Sequence, residues 1–178
     1  MAEAVDIKSE FDNSFTRQFG FPKERPATKV KGYLEENGKE FIRRSPFLVM
    51  ATSGAGGSCD ASPKGGRPGF VKVLDDSHIL IPDVAGNRLF QSYINMSQNP
   101  RVGLIFFIPG VRETLRVNGR VEIVRREELK RLEIELEVDN PDDNSKVLQG
   151  IVVEIEEAYG HCPRAFAFSK LWGSSKSK

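Results

Sequence analysis

Short strand-like runs, each ended by glycine, proline or aspartate, divide most of the sequence. Five of these runs are FLVMAT, HILIP, RVGLIFFI, TLRVNGRVEIV and GIVVEIEEAY, at 47–52, 78–82, 101–108, 114–124 and 150–159. Two weaker runs, at 58–62 and 69–74, lie between the first two. Branched and aromatic residues in short runs bounded by turn residues are typical of antiparallel strands. Six or seven such strands with few helices predict a small barrel or sandwich.

Helical spacing is confined to a few segments between these runs. Helices are predicted at 32–44, from about Asn87 to the residue before Pro100, at 126–136, and as a short closing helix or turn at 161–172. In the second of these, Leu89, Tyr93 and Met96 fall on one face. The glycine within 114–124 predicts a bulge in that strand.

The length of 178 residues fits one domain, and a hydrophobic content of 39% is enough for a core. We expect an N-terminal arm at 1–31, a domain at 32–172 and a disordered tail at 173–178. The arm carries phenylalanines that could pack against a partner subunit, at positions 11, 15, 19 and 21.

Charge and cysteine content exclude several classes of protein. A net charge of +1 gives no overall field to attract nucleic acid or an anionic membrane, so neither partner is expected. The longest apolar stretch, 102–108, is too short to span a bilayer. Two cysteines, without zinc-type spacing or a secretory leader, predict a cytoplasmic protein with no metal site and no disulfide framework.

Two glycine-containing segments each carry a cation. In CDASPKGGRPGF, Lys64 and Arg67 are predicted to lie in a flexible corner directly after a strand. In PDVAGNRLF, Asn87 is a good N-cap and Arg88 falls in the first turn of the predicted helix, where the helix dipole disfavours a cation. A bound anion would remove that conflict, and a phosphate monoester needs several converging donors. The alternatives are a solvated turn and an ordinary capped helix.

Two further features are compatible with a cofactor but are less specific. The strand that begins at Thr114 and contains Arg116 could lie along a flat heterocycle and offer its polar backbone edge. The HCP segment could make His161 and Cys162 a redox pair or a haem contact, but adjacent residues at a strand end seldom face each other. A half-buried cysteine beside a turn histidine is the simpler interpretation.

Taken in order, four segments resemble the pyridoxamine 5′-phosphate oxidase-like, FMN-binding split-barrel family. They are SPFLVMATSGAGGSCDASPKGGRPGFVKVLDD, LIPDVAGNRL, NPRVGLIFFIPGVRETLRVNGRVEI and HCPRAFAFSKLW. The resemblance implies a mainly β (α+β) fold, a six-stranded antiparallel split β-barrel with peripheral helices.

The resemblance also implies which residues hold FMN. These cofactor-binding residues are Asp60, Ala61, Ser62, Pro63, Lys64, Ile81, Pro82, Asn87, Arg88, Thr114 and Trp172. The sequence departs from the oxidase at Cys59, Asn87 and Thr114, which stand where the oxidase has arginine, a second cation and glutamine. The C-terminal motif that grips pyridoxal phosphate has no clear counterpart. The flavin site is therefore expected to be retained and the vitamin site lost.

This resemblance predicts a homodimer with FMN at each subunit interface. The expected activity is flavin-dependent oxidation or reduction of a small molecule by hydride transfer at flavin N5. No residue is assigned as a general acid or base. Three alternatives remain at this point: a non-catalytic flavin-binding module, a haem-binding split barrel with His161 or Cys162 as ligand, and the same fold with a deazaflavin.

Overall fold

The computed structural model of the chain describes residues 6–24, 28–84, 89–131, 147–161 and 163–173. Seven strands form one sheet, in which every neighbouring pair is antiparallel. The strands are β1 (Phe47–Ser53), β2 (Cys59–Gly65), β3 (Lys72–Val73), β4 (His78–Val84), β5 (Arg101–Phe107), β6 (Thr114–Arg125) and β7 (Val147–His161). Their order across the sheet is β2-β1-β5-β6-β7-β4-β3.

Short helices surround the sheet. They are Ile7–Glu10, Ser14–Phe19, Glu36–Arg44, Gln91–Gln98, Arg126–Arg131 and Arg164–Ser169. The helix predicted at 32–44 is confirmed from Glu36 to Arg44, and the helix predicted at 126–136 is confirmed from Arg126 to Arg131, since residues 132–146 lie outside the described part of the chain. Within the described ranges, no helix is long and apolar enough to cross a bilayer.

The core lies inside the curve of the sheet, under the alternating inward side chains of the strands. In β5, Val102, Leu104 and Phe106 are buried and the residues between them are not. Ile42, on the helix Glu36–Arg44, is fully buried against the same cluster. Each such side chain contributes about 1.5–3 kcal/mol by leaving water. This alternation turns one face of β5 into the core and leaves the other face outside it.

Strand β4 is covered on both faces, because five consecutive residues of it are buried. Ile79 and Ile81 belong to the main core, whereas Leu80 packs with Val124 and Leu129 in a second cluster. Burial on both faces explains why HILIP is a continuous apolar run and not an alternating one. Packing on both faces consequently holds this strand in place up to Asp83, its last buried residue.

The bulge predicted at the glycine of the sixth strand is confirmed. The register between β6 and β7 shifts at Asn118 and Gly119. A Cβ atom on Gly119 would lie 2.0 Å from the backbone oxygen of Glu154, so no other residue fits at this approach. The bulge allows long strands to bend and helps the sheet curve.

The second and third strands differ from their predicted limits. β2 was expected to end at Ser62, but it continues through Pro63 and Lys64 to Gly65, so Lys64 lies within a strand and not in a flexible corner. β2 is an edge strand, where the missing N–H of proline is tolerated. The third strand, expected at 69–74, is reduced to Lys72–Val73, because a turn with Gly69 at φ +83° occupies its start. The sheet has seven strands where the family resemblance implied six, and the mainly antiparallel fold is as predicted.

The N-terminal segment exposes aromatic side chains. Phe15 and Phe19, on the helix Ser14–Phe19, are 72% and 76% exposed. Lys31 pairs with Ala158 of β7 as an isolated bridge, which ties the end of this segment to the sheet. The division into an arm, a domain and a tail stays a prediction.

Candidate functional site

A cavity of about 240 Å³ lies between β2, the end of β4 and the start of the helix Gln91–Gln98. Its described lining consists of Asp60, Ala61, Ser62, Pro63, Lys64, Asp83, Val84, Leu89, Phe90, Gln91, Ser92 and Tyr93. β2 and β4 are far apart in the strand order, so they meet here only because the sheet curls. The cavity therefore lies at the seam of the split barrel.

An ion pair crosses this seam. The Lys64 Nζ atom lies 2.7 Å from Asp83 Oδ1. The two side chains are only 19% and 9% exposed, so both charges are largely removed from water. A pair of this kind costs desolvation and is strongly destabilised when one partner is lost. Lys64 also has two further ammonium hydrogens to donate, which makes it able to hold a second anion beside Asp83.

The second carboxylate of the cavity is bound to the helix. Ser92 Oγ donates a 2.5 Å hydrogen bond to Asp60 Oδ2. Ser92 lies in the first turn of the helix Gln91–Gln98, so this contact attaches the helix N-terminus to β2. Both Asp60 and Asp83 thus have a partner within the cavity wall.

The helix N-terminus has no side-chain cap. Phe90 occupies the N-cap position with a left-handed backbone, φ 53°, and makes no capping hydrogen bond through its side chain. The first amides of a helix have no intrahelical partner and carry partial positive charge. The residues of this first turn, Gln91, Ser92 and Tyr93, line the cavity together with Lys64. The arrangement combines a cation and a helix N-terminus, the two elements that recognise phosphate.

A buried polar network fixes the body of this helix. Asn95 Nδ2 donates to Thr52 Oγ1 at 3.1 Å, and Ser58 Oγ donates to Asn95 Oδ1 at 3.0 Å. Thr52 and Asn95 are both buried. These contacts hold the helix against β1 and the loop that follows it, so the N-terminal end is presented to the cavity in one position.

Tyr93 completes the cavity wall. Its hydroxyl oxygen is buried and makes no hydrogen bond of ordinary geometry with the described residues, although Asp83 and Gln149 lie near it. Burial, and secondarily the Asp83 carboxylate, raise the pKa of Tyr93 far above its usual value. The phenol therefore keeps its proton and can act as a donor.

The predicted site residues fall into several groups. Asp60, Ala61, Ser62, Pro63 and Lys64 all line the cavity. Ile81 and Pro82 are buried in β4, directly before the lining residues Asp83 and Val84. Asn87 and Arg88 lie outside the described residues. The helix was expected to begin near Asn87, but it begins at Gln91, so Asn87 is not its N-cap.

Thr114 and Trp172 lie away from this cavity. Thr114 is 3% exposed and lines a different cavity, of about 200 Å³, with the Thr114 hydroxyl unpaired among the described residues. Trp172 stacks on Phe166, with ring centroids 5.7 Å apart, and its Nε1 donates to the Val111 carbonyl at 2.8 Å. In one chain, the predicted flavin residues are therefore divided between separate surfaces.

Sequence reasoning missed Asp83, Ser92 and Tyr93 as site residues. Asp83 stands within the LIPDVAGNRL segment, next to the predicted Pro82, which was the available signal. Tyr93 was placed on the apolar face of the helix with Leu89 and Met96; of the three, only Met96 is fully buried and Leu89 is 61% exposed. His161 ends β7, and Cys162 lies outside the described residues. The described residues contain no group of metal-ligating side chains.

Comparison with known families decides the identity of the fold. A sequence profile described as pyridoxamine 5′-phosphate oxidase matches residues 34–162, from the helix before β1 to the end of β7. The chain belongs to the pyridoxamine 5′-phosphate oxidase family. The segments that suggested this resemblance in the sequence lie mainly within the matched range. No curated protein matches the chain.

Solved structures agree on the fold of this oxidase-family chain. A candidate pyridoxamine 5′-phosphate oxidase from Lactobacillus delbrueckii superposes with a TM-score of 0.53 at 19% identity, covering 72% of this chain and 95% of its own. HupZ from Group A Streptococcus superposes with a TM-score of 0.52 at 17% identity, and the match covers 71% of this chain and 93% of the HupZ chain. An FMN-binding protein from Syntrophomonas wolfei superposes with a TM-score of 0.50 at 11% identity, and the match covers 70% of this chain and 82% of that protein. At these identities the similarity concerns the fold.

Proposed function

We propose that this chain binds FMN, with the flavin phosphate in the cavity between β2, β4 and the helix Gln91–Gln98. The observation that carries the proposal is that all five residues from Asp60 to Lys64 line the same cavity as an uncapped helix N-terminus. Membership of the pyridoxamine 5′-phosphate oxidase family and an FMN-binding structural neighbour support the choice of cofactor.

The charges of the described lining bear on the fit of a phosphate. Lys64 is its one cation, and Asp60 and Asp83 are its carboxylates. Ser92 and Lys64 bind these carboxylates, which reduces their repulsion of an anion. The donors left for a ligand are the remaining Lys64 hydrogens and the first helical amides. This donor set fits a phosphate monoester, and the sequence predicts that Arg88 adds a second cation.

Lys64 and the start of the helix would hold the phosphate of FMN, and Asp60–Lys64 would form the neighbouring wall of the site. The chemistry that FMN supplies when bound is hydride transfer at its N5 atom, and we propose a small molecule as the substrate. Thr114 and Trp172 line other surfaces of the same chain, so a complete site would take them from a second copy. This supports a homodimer with FMN at the interface.

The absorbance spectrum of the purified protein tests the cofactor. We expect flavin bands, and FMN as the molecule released on denaturation, because the sequence lacks an adenine-binding glycine motif. A Soret band would favour the haem-binding alternative, and a deazaflavin spectrum would favour the alternative in which the same fold binds a deazaflavin. A colourless protein that takes up no added FMN would contradict the proposal.

Catalysis is tested separately from binding. The flavin should be reduced anaerobically by a nicotinamide nucleotide or dithionite and then reoxidised by a small-molecule acceptor. Reoxidation faster than that of free reduced FMN supports an oxidoreductase. Reoxidation no faster than free FMN with every acceptor tried would favour a non-catalytic flavin-binding module.

A further inference from the structure

The Lys64 ammonium already holds an anion of the protein itself. Its Nζ atom lies 2.7 Å from Asp83 Oδ1, and the two side chains are 19% and 9% exposed. The backbone of Asp83 is fixed by the pairing of β4 with β7, in which Asp83 lies opposite Gln149. Any anion that binds Lys64 from the cavity must therefore share this cation with Asp83.

The described lining of the cavity carries more negative than positive charge. Asp60 and Asp83 supply two carboxylates, and Lys64 is the one cation. A phosphate monoester brings close to two further negative charges. Arg88, the second predicted cation, lies outside the described residues, and its charge would offset only one of these. Like charges in a largely desolvated site favour the protonated form of a carboxylate, so the bound state has a reason to take up a proton.

The groups around Asp83 determine where that proton goes. The elements packed against it present Lys64 and Asp60 on β2, Tyr93 in the first turn of the cavity-lining helix, and Gln149 on β7. Gln149 does not titrate, and an ammonium has no site for a further proton. Burial, and secondarily Asp83, raise the pKa of Tyr93, so the phenol is already protonated. Of the two carboxylates that remain, Asp83 is the one that shares its cation with the ligand.

We propose that Asp83 is a proton-linked competitor of the ligand: it holds Lys64 in the free protein and takes up one proton from solvent when a phosphate binds. This inference rests on the proposed function, since FMN would be the phosphate ligand. The bound protein then carries more protons than the free protein, so lowering the pH favours binding. FMN affinity should rise as pH falls, by up to about tenfold per pH unit for a full proton taken up.

Calorimetric titration of the full-length, flavin-free wild-type protein with FMN measures this proton directly. The titration is run near neutral pH in two buffers of different ionisation enthalpy, such as Tris and HEPES. The difference between the two heats of binding, divided by the difference between the buffer enthalpies, gives the number of protons taken up. We expect roughly 0.3–1 proton per FMN bound. No uptake, or a release of protons, would overturn the proposal.

Three variants assign the proton to Asp83, and the wild-type result stands whether or not they all fold. Asp83→Asn should bind FMN with little or no uptake, whereas Asp60→Asn should retain it, because Asp60 is not the partner of Lys64. Asp76→Asn is the matched control: Asp76 also pairs with a lysine, Lys39, at 2.6 Å, but its side chain is 70% exposed and outside the cavity lining. Uptake that persists in Asp83→Asn would belong to another group and would contradict the assignment.

Inorganic sulfate distinguishes failure of this inference from failure of the proposed function. Sulfate keeps both of its charges at neutral and mildly acidic pH, so a pH dependence of its binding comes from the protein. If wild type binds no FMN, the flavin proposal fails, but sulfate at constant ionic strength should still raise the melting temperature more at about pH 6 than at about pH 8. In Asp83→Asn the rise should be equal at both values. If sulfate stabilises wild type equally at both, or at neither, the assignment of Asp83 is overturned whatever the flavin result.

Discussion

The Lys64 ammonium and the Asp83 carboxylate meet at 2.7 Å across the seam where β2 and β4 approach each other. Both side chains are largely buried, and both line the cavity at the N-terminus of the helix Gln91–Gln98. This contact has two consequences. It joins two strands that are not neighbours in the sheet, and it sets the charge of the cavity in which we propose that a phosphate binds.

Lys64→Met should weaken FMN binding by roughly ten- to hundredfold, because a charge-assisted contact to the phosphate is lost. It should also destabilise the free protein, since Asp83 is left buried without its cation. Lys72→Met, on β3 and outside the cavity lining, is the matched control and should retain wild-type affinity. Fluorescence titration measures both variants. Unchanged FMN affinity in Lys64→Met would remove Lys64 from the site.

Asp83→Asn should act in opposite directions on stability and binding. The free protein should lose stability because Lys64 loses its counter-ion, while FMN affinity should rise about three- to tenfold because the carboxylate no longer repels the phosphate. Calorimetric melting and FMN titration at low ionic strength test the two effects. The double variant Lys64→Met/Asp83→Asn should recover stability without recovering affinity. Weaker FMN binding in Asp83→Asn alone would show that the carboxylate itself contacts the ligand.

Arg88→Ala should weaken FMN far more than His161→Ala does. Arg88 follows Val84 of the cavity wall by four residues and is predicted to supply the second cation for the phosphate, at a cost of about 1.5–3 kcal/mol when removed. Arg88→Ala and Lys64→Ala should combine non-additively if both contact one phosphate. If His161→Ala loses FMN affinity and Arg88→Ala binds FMN as wild type does, the phosphate binds elsewhere.

Gly119→Ala should destabilise the fold without touching the cavity. A Cβ atom there would lie 2.0 Å from the Glu154 backbone oxygen, so the β6–β7 bulge must open, at a cost of about 1–3 kcal/mol or more. Gly56→Ala is the control, because a Cβ at Gly56 meets no heavy atom within 4 Å. Urea unfolding should separate the two variants. Equal midpoints would show that the bulge tolerates a side chain.

The strands that could be predicted from the sequence are those whose pattern reflects local burial. In β5, Val102, Leu104 and Phe106 alternate with less buried residues, and in β4, Ile79 to Ile81 form a continuous apolar run. Both strands could therefore be located from the order of residues along the chain. β2 was cut short because proline at position 63 is read as a breaker, whereas the edge location that permits it depends on the whole sheet. The start of the helix Gln91–Gln98 was misplaced because Phe90 takes a left-handed backbone that no capping residue announces.

The part of the candidate site that could be predicted from the sequence is the part that β2 supplies by itself. Asp60 to Lys64 alternate along a single strand and line one cavity, and their role in cofactor binding stays a prediction. Asp83, Ser92 and Tyr93 come from other elements and meet that strand only because the sheet curls. No spacing in the sequence encodes this approach, and the unpaired Tyr93 hydroxyl becomes evident only once its surroundings are known.

Equilibrium titration of the flavin-free wild-type protein with FMN and with riboflavin tests the central claim most directly. A phosphate held by Lys64 and the helix N-terminus predicts saturation at one FMN per chain, with riboflavin weaker by about tenfold or more. If FMN shows no saturable binding, or if riboflavin binds as tightly as FMN, the cavity is not a flavin-phosphate site.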